Sequence, residues 1–381
     1  MEKAQEVQLQ IMGQEVEAAN LPEQTTMPTF PPLKNYKWWL KISIYVFFLL
    51  AGQTAATILG RLYFEKGGNS NWMAAFVQAA GFPIILLFYF LSPLKTSAAN
   101  STDKTSPSKL KLALIYVVFG VFLAANCLLY ALGLLYLPVS TYTLICATQL
   151  GFNALFSFFL NSQKLTPFIL NSVVLLTISS VLLVFQNDST ESKEASKKKY
   201  EIGFLCTVGA SAGYGLMLSS TQFCFKKVLK QETFKVVLDM ILYPAFVATL
   251  IVLVGLFASG EWKGLRKEME EFELGQVSYL MTLIWTAICW QVFSIGCTGL
   301  VFEVSSLFSN IISTFGLPMV PVLAVFVFHE KMNGLKVISM LIAIWGFVSY
   351  AYQHYLDDYK FKTGGSNDSR EVPEDSNKFN I

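Results

Sequence analysis

Ten long apolar runs occupy most of this chain, and none of them carries Lys or Arg in its middle. The first extends from about Trp38 to Gly60 and the last from about Val337 to Tyr355. A helix needs about 20 apolar residues to cross the roughly 30 Å hydrocarbon core of a bilayer, so each run is long enough to span a membrane. The sequence therefore predicts an all-α membrane protein with ten transmembrane helices, in contact with a lipid bilayer.

Composition and local signals place the other spans and the polar segments. Only 14% of residues are charged, against about 25% in soluble domains. Residues 1–37 and 356–381 are polar and are predicted to be disordered, while residues 187–200 form a polar linker. The eight remaining spans are predicted at Trp72–Leu91, Leu112–Tyr136, Val139–Leu160, Phe168–Gln186, Ile202–Phe225, Val236–Ala258, Gln276–Leu300 and Val304–Phe328.

The distribution of cations predicts the orientation. An even number of spans places both termini on one side, and most of the 28 Lys and Arg residues fall on that side. Because cytoplasmic loops are enriched in Lys and Arg, we expect both termini in the cytoplasm and the 187–200 linker outside it, despite Lys197–Lys199 there. The plasma membrane is the expected location, and Asn187 is then the one sequon open to glycosylation.

A weak internal repeat divides the chain into two halves. Pro138-Val139-Ser140 and Glu303-Val304-Ser305 each begin an apolar run that ends in a short polar stretch and is followed by one more span. This pattern predicts two five-helix repeats, residues 38–186 and 201–355, in opposite orientations. Inverted repeats are typical of secondary transporters that bind substrate near the midplane. The alternative is that any two apolar helices resemble each other.

Uncharged polar side chains within the spans are the candidate substrate ligands. Buried amides need several partners, which favours a polar cavity, and an indole can stack on a flat ligand. Tyr142, Cys146, Gln149 and Asn153 share one stripe of the fourth predicted helix. The alternative is that these residues only hold neighbouring helices together. The candidate set is Gln53, Asn126, Gln149, Asn153, Trp290 and Gln291.

Two carboxylates inside the spans are candidates for proton coupling. Asp239 lies about one turn inside the seventh span and Glu303 at the start of the ninth. Either could bind and release a proton, because partial burial favours the neutral acid. Alternatively, Asp239 pairs with Lys235 and Glu303 caps the ninth helix.

Other chemistry is not indicated by the sequence. It contains neither a phosphate-binding loop nor a metal-ligand spacing, so no enzyme activity, cofactor or metal site is expected. The net charge of +2 indicates no nucleic-acid partner. The six cysteines lie in or beside apolar runs and are predicted to be small core residues rather than disulfide or zinc ligands.

Several short motifs stand along the chain. They are Gly60-Arg61-Leu62-Tyr63-Phe64, Gly67-Gly68, Val77 to Pro83 (VQAAGFP), Leu128 to Ser140 (LLYALGLLYLPVS), Gln149-Leu150-Gly151-Phe152, Asn171 to Thr177, Glu271 to Gly275, Cys289-Trp290-Gln291 and Trp345 to Tyr350. Together they resemble the motifs of the plant purine permeases, a family within the drug/metabolite transporter superfamily. The similarity covers residues from about Trp38 to Tyr355.

The resemblance implies ten helices in two inverted halves and uptake of purine bases and related compounds, including adenine, cytokinins and some alkaloids, commonly with protons. The chain departs from the family pattern at Asn69-Ser70-Asn71, at Gly316 to Pro321 and at Glu303. A carrier or exporter for another metabolite and a ligand-sensing protein without net flux are the alternatives, and the oligomeric state is open.

Overall fold

The structure is a computed structural model that describes residues 36–86, 109–162, 167–184, 194–229, 234–329 and 333–346, with 348, 349 and 352. Residues 1–35 and 356–381 of the ends predicted to be disordered, residues 187–193 of the linker, and the ends of the second, fifth and tenth predicted spans lie outside this part of the chain. Tyr36 and Lys37, which were included in the disordered prediction, begin the first helix. Within it, the regular secondary structure is entirely helical. The prediction of an all-α protein is therefore confirmed for these residues.

The helices of the first half follow the predicted order. Tyr136 ends one helix and Val139 starts the next, with Pro138 between them at φ −56°, an angle that proline fixes and a helix start accepts. The helices are α1 Tyr36–Glu65, α2 Asn71–Ala79, α3 Lys109–Tyr136, α4 Val139–Cys146, α5 Gln149–Asn161 and α6 Pro167–Val184.

The second half begins with a helix that starts at Glu194, ahead of the predicted start at Ile202, and ends in a π-helical turn over Cys224–Leu229. A 3₁₀ turn at Glu261–Lys263 and a short surface helix follow the next long helix. The helices are α7 Glu194–Phe223, α8 Phe234–Ser259, α9 Leu265–Glu271, α10 Gln276–Glu303, α11 Ser306–Gly316, α12 Met319–Phe328 and α13 Gly334–Gly346.

Seven segments of the described chain are long and apolar enough to cross a membrane when α4 with α5, and α11 with α12, are each counted as one. Shorter apolar helices occupy Asn71–Leu86 and Gly334–Gly346. In the segment Val139–Asn161, 61% of the most apolar stretch of 18 residues is buried inside the protein, against at most 44% of the corresponding stretch in the other six segments. The fourth predicted span is thus the most enclosed of the seven.

Two predicted spans are interrupted, which corrects the expectation of continuous helices. The fourth breaks at Ala147–Thr148, where the Thr148 hydroxyl donates to the Ile145 carbonyl at 2.7 Å and competes with the helical backbone bond. The ninth breaks at Leu317–Pro318, because proline has no N–H to donate. At both breaks a backbone N–H donates to the carbonyl three residues earlier instead of four. Thr148 donates to Ile145 in this way, and Leu317 to Thr314. The predicted polar stripe from Tyr142 to Asn153 therefore crosses a break.

Glycines bring α1 and α10 into backbone contact, and this is the most extensive helix pair in the described chain. A Cβ atom at Gly52 would lie 2.6 Å from the Phe293 nitrogen, and one at Gly296 would lie 2.5 Å from the Tyr45 carbonyl oxygen. Small residues allow such close approach of helices in a bilayer. This pair forms one wall of the cavity described next.

Candidate functional site

An enclosed cavity lies between α1, α2, α3 and α10, with Tyr142 of α4 at its side. Its volume is about 20 Å³, which is room for about one water molecule. A purine ring does not fit unless side chains or helices move. The lining residues are Thr57, Gly60, Tyr63, Phe64, Ala74, Val77, Gln78, Tyr130, Ala131, Leu134, Tyr142, Leu283, Thr286 and Trp290.

Aromatic rings form much of the cavity wall. Tyr130 and Tyr142 meet edge to face with centroids 6.1 Å apart, and Trp290 meets Phe293 edge to face at 5.5 Å. The amide nitrogen of Gln78 donates to the carbonyls of Ala74 at 3.3 Å and Cys127 at 3.4 Å. The amide oxygen is the part of Gln78 that remains to accept a hydrogen bond. The lining combines flat apolar surfaces with few polar atoms, as small-molecule sites commonly do.

A buried network of amides and hydroxyls joins the two interrupted spans to α1. The Gln149 side chain at the start of α5 donates to the Ser313 hydroxyl at 3.1 Å. Ser313 in turn donates to the Gln53 side chain at 2.9 Å, and the Asn310 amide donates to the Gln149 carbonyl at 3.1 Å. The half-helices α5 and α11 are therefore linked to each other and to α1 by polar contacts.

Asn153 lies in a second part of this network, between α5, α7 and α11. Its amide nitrogen donates to the Ser306 carbonyl at 3.2 Å, and its amide oxygen accepts from Ser219 at 2.7 Å. The Ser306 backbone N–H donates to the Gln222 side chain at 3.0 Å. Asn153 and Ser306 are fully buried, so every one of these groups needs its partner.

The structure brings one of the six candidate ligands, Trp290, to the cavity wall. Gln53, Gln149 and Asn153 hold helices together in this state, which is the alternative role that the sequence left open. Asn126 is buried against Gly213 of α7. Gln291 is buried beside Gly81, and its amide nitrogen has no hydrogen-bond partner among the described residues. A role in substrate binding for these five residues stays a prediction.

The two candidate carboxylates lie away from the cavity lining. Asp239 of α8 lies near Tyr116 of α3 and interacts with it electrostatically. The Tyr116 ring stacks on that of Tyr243, with centroids 4.9 Å apart. Glu303 ends α10 and forms a salt bridge with Lys41 of α1. Glu303 therefore does not cap the ninth helix, as one interpretation of the sequence held. Ser305 is the cap, because its side chain accepts from the Phe308 N–H at 3.1 Å.

A polar cluster at the other end of α1, which the sequence analysis missed, closes over the cavity. Glu268 of α9 accepts hydrogen bonds from the hydroxyls of Tyr63 and Tyr279, the latter at 3.0 Å, and from the Asn69 N–H at 3.1 Å. Nearby, Glu261 accepts from the Ser70 hydroxyl at 2.6 Å. The one signal in the sequence was the concentration of acidic residues between two spans, and such residues usually mark only a solvated loop.

An open vestibule of about 400 Å³ lies on the far side of this cluster. Glu268 lines the vestibule, and Tyr63, to which it is bonded, lines the enclosed cavity. The vestibule is lined by Gly67, Asn69, Ser70, Gly260, Glu261, Gly264, Lys267, Glu268 and Glu271.

Comparison with known proteins gives matches over nearly the whole described chain. A family described as "Purine nucleobase transmembrane transport" matches residues 40–360. Purine permease 21 of Arabidopsis thaliana is 59% identical over 340 residues, which are 89% of this chain and 87% of that protein. Probable purine permease 10 of the same plant has the same identity and coverage. Probable purine permease 8, also from Arabidopsis thaliana, is 53% identical over 358 residues, 94% of this chain and 90% of that protein.

Proposed function

Since the chain belongs to the purine permease family, a family of membrane transporters, we propose that it carries adenine, cytokinins and related neutral purine-like heterocycles by proton-coupled secondary transport. Membership in this family makes the protein an integral membrane transporter of the purine nucleobase class and not an enzyme. The single observation that carries the finer proposal is the cavity with aromatic walls between α1, α2, α3 and α10.

A neutral and planar substrate suits this cavity. Among the described residues, no Lys or Arg lines this cavity, so an anionic solute such as a phosphorylated nucleotide would find no cation among them to pair with. Trp290 would stack on the heterocycle. The amide oxygen of Gln78 would accept a hydrogen bond from a ring N–H or an exocyclic amine.

The amides of Gln53, Asn126, Gln149, Asn153 and Gln291 complete the proposed site. A cavity of about 20 Å³ is far too small for a purine, so the structure corresponds to a closed state and substrate binding requires the surrounding helices to separate. Separation would expose the side chains of Gln53, Gln149 and Asn153, which are now bonded to serine hydroxyls and a backbone carbonyl. The amide nitrogen of Gln291 has no partner among the described residues, so it has no hydrogen bond to lose before it binds substrate.

Alternating access between two inverted five-helix halves, 38–186 and 201–355, is the proposed mechanism. Its support is the position of the two interruptions, each in the fourth predicted span of its half. Paired discontinuous helices mark the substrate site in several inverted-repeat transporters. The hydrogen bond between Asn310 and the Gln149 carbonyl joins the two interrupted spans, so a movement of one half relative to the other would change this contact.

The proposed orientation in the plasma membrane places both termini in the cytoplasm, with residues 66–70 and 260–275 outside. The excess of cations near the ends assigned to the cytoplasm supports it. A coupling proton would then enter from the side of the vestibule. Asp239 and Glu303 are the candidates for carrying that proton that the sequence offers.

Accumulation of radiolabelled adenine in cells that express the protein tests the proposal. The expected result is saturable uptake that unlabelled cytokinin inhibits, that rises in acidic medium and that a protonophore abolishes. Trp290→Ala is expected to lose uptake at normal surface expression. Trp285→Ala is the matched control, because Trp285 lies on the same helix with 54% of its surface exposed.

Equal loss of uptake in both tryptophan variants would contradict the assignment of Trp290 to the site. Saturable binding of adenine without accumulation, despite confirmed surface expression, would contradict transport itself. Uptake that a protonophore leaves unchanged would remove proton coupling but not purine transport.

A further inference from the structure

One carboxylate, that of Glu268, joins α9 to α1, to α10 and to the turn at Asn69. Oε1 of Glu268 accepts hydrogen bonds from the hydroxyls of Tyr63 and Tyr279, and Oε2 accepts one from the Asn69 N–H. In the described chain it forms no ion pair, whereas its charged neighbours pair with each other. Lys66 pairs with Glu273 at 2.8 Å and Lys267 with Glu271 at 3.6 Å.

Other charges around Glu268 come from each element packed against it. Arg61 of α1 is bonded to Glu65 at 2.9 Å. Glu261 of the 3₁₀ turn shares the vestibule and is bonded to Ser70 and to the Trp72 N–H at 3.2 Å. From α10, the facing titratable group is the hydroxyl of Tyr279. Glu261 and Glu271 thus share the vestibule with Glu268, and the lining cation Lys267 is paired with Glu271. Lys263 of the 3₁₀ turn lies over the Trp262 ring, 5.9 Å from its centroid.

The position of Glu268 connects solvent to the cavity. One side of the residue faces the open vestibule, and the other is bonded to Tyr63, whose ring lines the cavity. Tyr63 is itself held in place, because a Cβ atom at Gly68 would lie 2.5 Å from its ring. A proton can therefore reach Glu268 from the vestibule, and a change at Glu268 acts directly on a cavity wall.

Resting on the proposed function, we propose that Glu268, rather than a carboxylate inside the spans, binds the coupling proton, and that its protonation loosens the hold of α9 on Tyr63 and on the turn at Asn69. The step is a reversible transfer of one proton from vestibule water to a carboxylate oxygen. A proton on Oε2 faces the Asn69 N–H as a second donor, and the neutral acid accepts weaker hydrogen bonds from the two tyrosines than the carboxylate does. The weaker closure at this end lets the cavity open towards the vestibule and admit the purine.

The test uses the full chain with Glu268→Gln, an isostere that cannot be deprotonated. Uptake of radiolabelled adenine is measured at acidic and neutral external pH, alongside exchange of external labelled adenine for internal unlabelled adenine. Glu268→Gln is expected to lose both the stimulation by acid and the accumulation of adenine while it keeps exchange. Glu270→Gln is the control on the same helix, since Glu270 is bonded to Arg266 at 3.0 Å and not to the cluster, and it is expected to behave as wild type.

Tyr63→Phe is the second variant, because it keeps the ring in the cavity wall and removes one hydrogen bond to Glu268. It is expected to shift the pH profile of uptake, which a purely structural role of Glu268 would not produce. Loss of both exchange and accumulation in Glu268→Gln at normal surface expression would overturn the inference and make the residue structural.

Acid stimulation that persists in Glu268→Gln but disappears in Asp239→Asn or Glu303→Gln would also overturn it, while the proposed function would stand. Absence of adenine transport by the wild-type protein would instead refute the proposed function, and with it this inference. The two failures are distinguished by the wild-type measurement alone.

Discussion

Gly52→Ala is expected to destabilise the protein through the contact between α1 and α10. The added Cβ would lie 2.6 Å from the Phe293 nitrogen and 2.8 Å from the Cys289 carbonyl oxygen. Both are backbone atoms, so no side-chain rotation can relieve the overlap. Ordinary van der Waals contact of a Cβ atom begins at 3.4 Å, which is 0.8 Å more than the 2.6 Å to the Phe293 nitrogen. The two helices must separate to make up this difference.

The magnitude follows from two opposing effects. Overpacking of a close contact costs about 1–3 kcal/mol, and alanine in a helix interior stabilises by about 0.5–1 kcal/mol relative to glycine. With the middle of each range, the expected net loss in the free energy of unfolding is about 1 kcal/mol. Gly209→Ala in α7 is the matched control, because its nearest neighbouring atom would be 3.8 Å from the added Cβ. Gly209→Ala is expected to gain the stability that alanine gives a helix over glycine, without a steric overlap.

Thermal unfolding in detergent, followed with a thiol-reactive fluorophore, measures both variants. All six cysteines are free and four of them are buried, so unfolding exposes new thiols. Gly52→Ala is expected to unfold at a lower temperature than wild type and Gly209→Ala at the same or a higher one. If Gly52→Ala is as stable as Gly209→Ala, the backbone contact between α1 and α10 is not as close as described.

Three further predictions use the same assay. Asn153→Ala removes the acceptor that lies 2.7 Å from the buried Ser219 hydroxyl and is expected to cost about 1–3 kcal/mol of stability; an unchanged unfolding temperature would contradict a structural role of this bond. Glu303→Gln removes a salt bridge whose Lys41 side chain is 41% exposed, and solvent screening limits the expected loss to below about 1 kcal/mol; a larger loss would mean that the pair is shielded from water. Ser162→Gly relieves a left-handed residue with φ 53° at the end of α5 and is expected to stabilise by up to about 1 kcal/mol; a lower unfolding temperature would contradict this.

The helical class was predictable because it follows from composition and run length. A continuous apolar stretch as long as Gln276–Leu300 has the length of a membrane helix rather than of a membrane strand, and a helix satisfies its backbone groups within lipid. The structure agrees, since α10 spans Gln276–Glu303. The same argument could not locate the break at Ala147–Thr148. This break contains neither proline nor glycine, and it is marked by the hydrogen bond from the Thr148 hydroxyl to the Ile145 carbonyl. Pro318 is a stronger local signal, yet proline is tolerated within membrane helices, as Pro244 is within α8.

The candidate site was predictable only in part. Polarity inside a span singled out Gln149 and Asn153 correctly as deeply buried. It could not tell which neighbour each amide faces, since that depends on how α5 crosses α11 and α7. Glu268 lies in a short polar loop, and its contact with Tyr63 joins residues 205 positions apart.

Long apolar runs determine by themselves that this chain enters a membrane and does so as helices, because unpaired backbone groups are too costly in hydrocarbon. The order of those helices follows from the same runs. The tertiary structure alone decides which polar groups line a cavity and which bond to each other, because that choice rests on the packing of helices distant in sequence. The approach of α1 to α10 at Gly52 and the closure of Glu268 onto Tyr63 are contacts of this kind.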